Sequence, residues 1–454
     1  MKITVVGCGK IGTTVIQSLV GEGHDVVAVD NDPSVIDEIT NIYDVIGVCG
    51  NCIDCDTLTE AGVDKTDLIV ASTGSDELNM LCCFISRRLG AKHTIARISN
   101  PEYQEGSLAF MQKQLDLSLT VNPEFLAAHE IFNVLRMPSA AKIETFSERS
   151  FELVELRIKD DSVLDGKSLT ELRRVYRANF LICVVRRGDE VYIPDGNFVL
   201  RSGDKIAVSA DPTEIQKFFK MIGYTQKQSK DVMILGASKT AYYLSKMLLS
   251  SGSSVKIVEI DRERCRTFSD KLPSASMING DGAQQEILME EGLPSMDAFV
   301  TLTGMDEENI LLSFFASTLS VPKVVSKINR EEFASMAERL GLDCIISPKK
   351  AVSNIIVRYA RALQNSEGSN VETLYKLMDD KAEALEFFVR SDFPLAGKPL
   401  KDLRTDLKRG IIIAGIIRQR KTIIPSGDDV ILPGDKVIVI SSEMRLDDLS
   451  DIIS

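Results

Sequence analysis

Short apolar stretches alternate with helical ones from the start of the chain. Ile3 to Val6 reads as a strand, Thr13 to Val20 has helical spacing, and Asp25 to Val29 reads as a second strand. Repetition of that order through residues 1–122 predicts a doubly wound parallel sheet of Rossmann type. The pattern then changes. Phe151 to Ile158 and Lys205 to Ser209 alternate as half-buried strands, and Leu181 to Val185 is more continuously apolar, which predicts a small α+β unit. Between the two, Asn122 and Pro123 form a helix cap followed by proline at the first helical position. Phe125, Leu126, Ile131, Val134 and Leu135 give that helix an apolar face before Met137 and Pro138 end it. Such a helix is either a dimer-packing element or ordinary core.

The whole pattern then occurs a second time. Asp67, Thr73, Gly74, Asp76, Glu77 and Asn79 match Asp297, Thr303, Gly304, Asp306, Glu307 and Asn309, every pair 230 positions apart. Gly7 meets Gly236 at an offset of 229, and Gly166, Ile193 and Gly203 meet Gly397, Ile424 and Gly434 at an offset of 231. The fold class expected is therefore α/β: two Rossmann-like doubly wound parallel-sheet domains, each followed by a small α+β domain. The expected boundaries are 1–122 and 230–350 for the Rossmann domains, and 123–225 and 351–454 for the helical connections with their small domains. A polar joint, Thr225 to Lys230, separates the halves.

The first Rossmann domain carries the chemistry. Gly7, Cys8, Gly9, Lys10, Ile11 and Gly12 form a G-x-G-x-x-G turn between the first strand and the first helix. Gly7 permits the tight turn, Gly9 lets backbone approach a pyrophosphate, and Gly12 lets helix and strand pack closely. Phosphates would then meet free amides at the positive end of the helix. Asp30 ends the second strand, where a carboxylate can receive ribose hydroxyls. Ligands of open parallel sheets bind outside the carboxyl ends of the strands, so Asn51 and Cys52 after the third strand and Thr73, Gly74 and Asp76 after the fourth join the candidate pocket. Arg97, after the fifth, either neutralises phosphate or forms a surface ion pair. In the second half only the first glycine remains, because Ser238 and Ala241 replace the others, while Glu259 keeps the acid position. That site is expected to be weaker, altered or empty.

Composition narrows the function. A 454-residue chain with 26% charged residues and a net charge of −13 is globular and opposes binding to nucleic acid through general electrostatics. No apolar run approaches the ~20 residues needed to cross a bilayer, and the start has no signal-peptide pattern, so a cytoplasmic location is expected. Nine cysteines then read as reduced thiols. Cys49, Cys52 and Cys55 have a spacing that can ligate zinc or an iron–sulfur cluster, but no fourth ligand is evident and their counterparts Asn279, Gly282 and Gln285 lack sulfur. Cys82 and Cys83 read as core. A dehydrogenase would need a separate catalytic domain, whereas the second half repeats the first, and His24, His93 and His129 show no acid–base constellation.

The glycine turn, the acid at Asp30, the T-G-x-D-x-x-N run from Thr73 to Asn79, and the G-K-x-L and G-D-K turns of the small domains together resemble the RCK family, in which a KTN-type Rossmann domain precedes a TrkA-C domain. The duplication is similar to regulators of Trk-type potassium uptake. The resemblance implies a non-enzymatic gating subunit, self-associating through dimers into a tetrameric ring. That ring would sit on the inner face of the membrane through a potassium-translocating partner of the TrkH/TrkG kind. It also implies NAD(H) or ATP/ADP as regulatory ligands and a divalent cation at Glu124. The regulator of a potassium efflux or proton-coupled transporter stays open as an alternative.

Overall fold

The computed structural model describes residues 1–103, 105–146, 151–176, 179–224, 228–365, 371–403, 406–442 and 445–454. Thr225, Gln226 and Lys227 of the expected joint lie outside the described residues. The chain forms two compact units, and each unit is discontinuous in sequence: Met1–Phe132 with Lys230–Ala360, and Asn133–Ser229 with Arg361–Ser454. Like modules are thus grouped together. Among the described residues no helix is long and apolar enough to cross a membrane.

The first unit holds both Rossmann modules. In chain order the first comprises β1 (Lys2–Val6), α1 (Lys10–Gly21), β2 (Asp25–Asp30), α2 (Pro33–Ile42), β3 (Ile46–Cys49), α3 (Cys55–Glu60), β4 (Leu68–Ala71), α4 (Asp76–Leu89), β5 (His93–Arg97), α5 (Glu105–Gln114) and β6 (Leu119–Val121). Its strands are all parallel in the order β3-β2-β1-β4-β5-β6. The order reverses between β1 and β4, the switch point at which such sheets take ligands. Helix α1 begins at Lys10, three residues before the sequence pattern suggests, because Gly9, still extended, is the N-cap and the chain turns helical directly after it. Then come α6 (Pro123–Arg136) and the elements of the first small domain: β7 (Lys142–Phe146), β8 (Phe151–Arg157), α7 (Leu169–Tyr176), β9 (Phe180–Arg187), β10 (Glu190–Tyr192), β11 (Lys205–Ala210) and α8 (Pro212–Met221).

The second half repeats both parts. Its Rossmann module runs β12 (Asp231–Leu235), α9 (Lys239–Ser250), β13 (Ser254–Glu259), α10 (Arg262–Lys271), β14 (Ser276–Asn279), α11 (Gln285–Glu290), β15 (Ala298–Thr301), α12 (Asp306–Thr318), β16 (Lys323–Lys327), α13 (Glu331–Arg339) and β17 (Ile345–Ile346). The sheet order β14-β13-β12-β15-β16-β17 is the same, again parallel throughout. After α14 (Pro348–Asn365), the second small domain has β18 (Val371–Leu377), β19 (Ala382–Phe388), β20 (Ile411–Arg418), β21 (Lys421–Ile423) and β22 (Lys436–Ser441).

The connecting helices explain how the Rossmann modules are held together. Asn122 caps α6 by accepting from the Phe125 N–H at 2.9 Å, and its amide donates to the Tyr243 hydroxyl on α9 at 3.0 Å. Phe125 meets the Tyr243 ring edge-on at 5.5 Å. In the reciprocal position Ser353 of α14 lies 2.8 Å from the Ser18 hydroxyl of α1. Each helix therefore packs on the first helix of the other half, joining two modules of one chain as a dimer-packing helix would join two chains.

In the second unit the small sheets are antiparallel, with matching orders β10-β9-β11-β8-β7 and β21-β20-β22-β19-β18. The expected half-burial of β8 and β11 does not hold: both are buried on nearly every residue. One face covers its own domain's core around Phe218 and Phe219; the other meets the second sheet, where Phe151, Leu153 and Ala207 share a core with Ala384, Ala414 and Ile440. Alternation predicts a solvated face only when no partner covers it. Here the duplicate supplies the cover, and a Cβ on Gly415 would stand 2.3 Å from the Phe151 ring.

Candidate functional site

A cavity of about 790 Å³ opens at the carboxyl ends of the first Rossmann strands, within the ~300–1,000 Å³ typical of small-molecule sites. Gly7, Gly9, Lys10 and Ile11 of the turn line it, as do Asp30 after β2, Asn51 and Cys52 after β3, Thr73 and Gly74 after β4, and Arg97 of β5. Glu124, in the first turn of α6, is also on its wall. Four residues singled out in the sequence are absent from the lining: Cys8, Gly12, Asp76 and Glu259.

The turn has a definite internal logic. Gly7 has φ +84°, a left-handed conformation, and a Cβ there would lie 2.6 Å from the Thr73 backbone nitrogen. The Asp30 carboxylate accepts from the Cys8 N–H at 2.7 Å and from the Asp32 N–H at 3.0 Å. One lone pair on each oxygen is used, so acceptor capacity remains toward the cavity. No side chain caps α1 at Gly9, which leaves its first-turn amides available to an anion. Burial and the nearby Asp30 charge push the Cys8 thiol up to about 12, so Cys8 is a neutral packing group below the turn.

Asp76 and Asn79 build the wall without facing the cavity. Asp76 accepts from the N–H groups of Ser99 and Asn100 at 2.9 and 2.7 Å. Asn79 accepts from the Thr73 N–H and hydroxyl at 2.8 and 2.7 Å and donates to the Arg97 and Thr73 carbonyls at 3.0 and 3.3 Å. Asp306 and Asn309 make the same bonds in the second half. The T-G-x-D-x-x-N motif is thus a staple between the ends of β4 and β5.

Arg97 points its guanidinium toward Glu124 at 3.6 Å and donates to the Thr73 carbonyl at 3.4 Å. Its Nε and the Oε2 of Glu124 are buried without a hydrogen-bond partner in the protein. Such orphaned polar atoms are costly unless something else satisfies them. Within the same unit, the cavity continues onto the second Rossmann module, where Ser238, Lys239, Thr240, Lys327, Asn329, Pro348 and Lys349 complete the lining. Five cationic side chains, Lys10, Arg97, Lys239, Lys327 and Lys349, face two carboxylates, Asp30 and Glu124. In a chain of net charge −13 this is a concentrated positive site.

The corresponding turn of the second half is closed by its own side chains. The Ser238 hydroxyl accepts from the Ala241 N–H at 3.3 Å, occupying an amide that is free in α1. Glu259 is buried, accepts from the Ala237 N–H at 2.6 Å and lies outside the cavity.

Comparison with known proteins matches the TrkA-N domain to residues 3–113 and 232–348, and the TrkA-C domain to residues 153–223 and 384–454. The chain belongs to the TrkA family. A relative from Archaeoglobus fulgidus, named Trk system potassium uptake protein TrkA homolog, is 29% identical over 452 residues and covers 100% of both chains. The Trk system potassium uptake protein TrkA of Haemophilus influenzae is 28% identical over 451 residues, covering 98% of this chain and 96% of its own. Among solved structures, the GsuK RCK domain has a TM-score of 0.63 at 19% identity, covering 97% of this chain and 92% of that one. The GsuK channel bound to NAD has a TM-score of 0.63 at 18% identity, covering 97% and 77%. These structures share the RCK fold.

Within this TrkA-family architecture, sequence reading missed Lys239, Lys327 and Lys349. The signal was in the repeat: Lys239 is the counterpart of Lys10, Lys327 of Arg97, and Lys349 follows Pro348 as Glu124 follows Pro123. What the repeat does not carry is that the carboxyl ends of the two sheets share one cavity.

Proposed function

We propose that the chain is a non-enzymatic, cytoplasmic regulatory subunit of a Trk-type potassium uptake system, and that an adenine nucleotide, NAD(H) or ATP/ADP, in the shared cavity sets its state. The observation that carries this reading is the cavity itself, where an uncapped helix N-terminus, the Asp30 carboxylate and five cationic side chains converge. Family membership and the names of the relatives support the potassium-uptake role. An NAD-bound channel of the same fold shows that the architecture can hold such a ligand in that protein.

In this reading Gly7, Gly9 and Gly12 shape the phosphate turn, Asp30 takes the ribose, Asn51 and Cys52 border the adenosine end, and Arg97 meets phosphate. The second half's turn, capped by Ser238, contributes lysines in place of a second equivalent site. Because both Rossmann modules line the cavity, a ligand that fits one spacing of the modules better than another shifts the population toward it, and the shift is passed to a membrane potassium-translocating subunit. A tenfold preference at each of four sites in a tetrameric ring amounts to about 5.6 kcal/mol, enough to move an equilibrium from about 1:99 to about 99:1.

Titration calorimetry of the purified chain with NAD, NADH, ATP and ADP tests the ligand, beside a Gly9→Glu variant whose side chain enters the cavity. Saturable binding lost in the variant is expected. No binding of any of the four would end the sensor reading. Co-purification with the potassium-translocating subunit, and nucleotide-dependent potassium flux in vesicles holding both, tests the coupling.

A further inference from the structure

The divalent cation implied at Glu124 does not fit its surroundings. Glu124 faces Arg97 at 3.6 Å, and the Lys327 ammonium lies close enough to interact with its charge. Lys327 is itself deeply placed: burial pulls its pKa below the usual lysine range, against the opposing pull of Asp306 and Glu124. Among the described residues no group of three or more His, Cys, Asp or Glu side chains is disposed to hold a metal ion.

The repeat gives the physical reason. Pro123 and Pro348 open the two connecting helices, and the residue after each proline lines the same cavity, Glu124 from one half and Lys349 from the other. Two carboxylates meeting there would require a cation between them before phosphate could approach. Glu124 is already matched by Arg97 at 3.6 Å, and Lys349, Lys239 and Lys327 add three positive charges to the cavity from the second module.

Building on the nucleotide reading, we propose that Lys239, Lys327 and Lys349 of the second half neutralise the phosphates of a nucleotide held by the first half, so that the site takes metal-free ADP or ATP rather than the magnesium complex. The second module then serves as a built-in counter-ion. Magnesium competes with the lysines for the same phosphate oxygens, so it weakens binding instead of supporting it.

Calorimetric titration of the full chain with ADP and ATP, in EDTA and in excess magnesium, tests this, using Lys349→Glu and Lys349→Gln variants whose folding is checked by thermal unfolding. The wild-type chain is expected to bind more tightly in EDTA than in magnesium. Lys349→Glu is expected to lose about tenfold or more in EDTA, the scale of one charge-assisted contact, and to recover part of that loss in magnesium; Lys349→Gln should lose less and gain nothing from the metal. Wild-type binding that disappears in EDTA and returns with magnesium overturns the proposal, as does a Lys349→Glu variant that binds like wild type in EDTA. If NAD or NADH binds but ADP and ATP do not, the nucleotide reading survives and this proposal falls. If nothing binds, both fall together.

Discussion

Asp30 and Cys8 are joined by a 2.7 Å hydrogen bond from backbone N–H to carboxylate, and this bond gives the glycine turn its shape. Glu259 and Ala237 repeat it at 2.6 Å in the half whose turn is closed by Ser238. The bond is therefore part of the turn in both halves, and only Asp30 has further acceptor capacity facing the cavity. In Asp30→Asn one oxygen is exchanged for an NH2 that must confront the N–H of Cys8 or of Asp32, costing about 1.5–3 kcal/mol of a charge-assisted bond. We expect lower thermal stability together with at least about a tenfold loss of nucleotide affinity. Glu259→Gln should show the stability loss with nucleotide affinity retained. Equal affinity in Asp30→Asn and wild type would remove Asp30 from the ligand site.

Two glycines of the same turn separate folding from binding. A Cβ on Gly12 would stand 2.0 Å from the Gly7 carbonyl oxygen, a backbone atom that cannot step aside, whereas a Cβ on Gly9 meets nothing within 4 Å. Gly12→Ala should therefore destabilise the module by about 1–3 kcal/mol, the cost of overpacking. Gly9→Glu should unfold close to the wild-type temperature and fail to bind nucleotide. The reverse ranking in thermal unfolding would mean that the turn is not held as described.

The Asn79 staple makes the next expectation symmetric. Asn79 and Asn309 are both fully buried and each makes four hydrogen bonds between the ends of adjacent strands. Truncation to alanine strands backbone groups at the ends of β4 and β5, or of β15 and β16, and should cost about 2–4 kcal/mol. Hydrogen exchange of those strand amides is expected to quicken in both variants. An effect confined to Asn79→Ala would instead point to a role tied to the ligand.

Much of the architecture was legible because it rests on periodicity. The β1-to-Asp30 pattern, the cap at Asn122 and the duplication are all local or self-similar signals, and the sheets follow them. Partners brought in by tertiary packing were not legible. Asp76 carries the same carboxylate as Asp30, yet its oxygen is spent on the Ser99 and Asn100 N–H groups, which no spacing along the chain announces. Glu155 on β8 alternates like a solvent-facing residue but is buried, because the second small sheet covers that face. Lys239, Lys327 and Lys349 have ordinary surroundings in sequence and become site residues only when two sheets present their carboxyl ends to one cavity.

The cysteine run gives the last prediction, because the fold separates its members. Cys49 and Cys55 are exposed, while Cys52 is buried and lines the cavity, so the three do not converge as metal ligands would. Interaction with the neighbouring Cys82 thiol pulls the Cys52 thiol below the usual cysteine range, against the opposing effect of burial. Cys83, fully buried close by, is pushed up to about 12 and stays protonated. A thiol reacts as its thiolate, so iodoacetamide labelling of Cys52, followed by mass spectrometry in a Cys49→Ser/Cys55→Ser background, should rise with pH and do so at a lower pH than labelling of an ordinary cysteine. Cys83 should remain unlabelled across the same pH range. Saturating nucleotide should suppress Cys52 labelling, since Cys52 lines the cavity. Labelling at an unchanged rate with nucleotide bound would place the ligand away from the loop between β3 and α3, and Asn51 and Cys52 would leave the site with it.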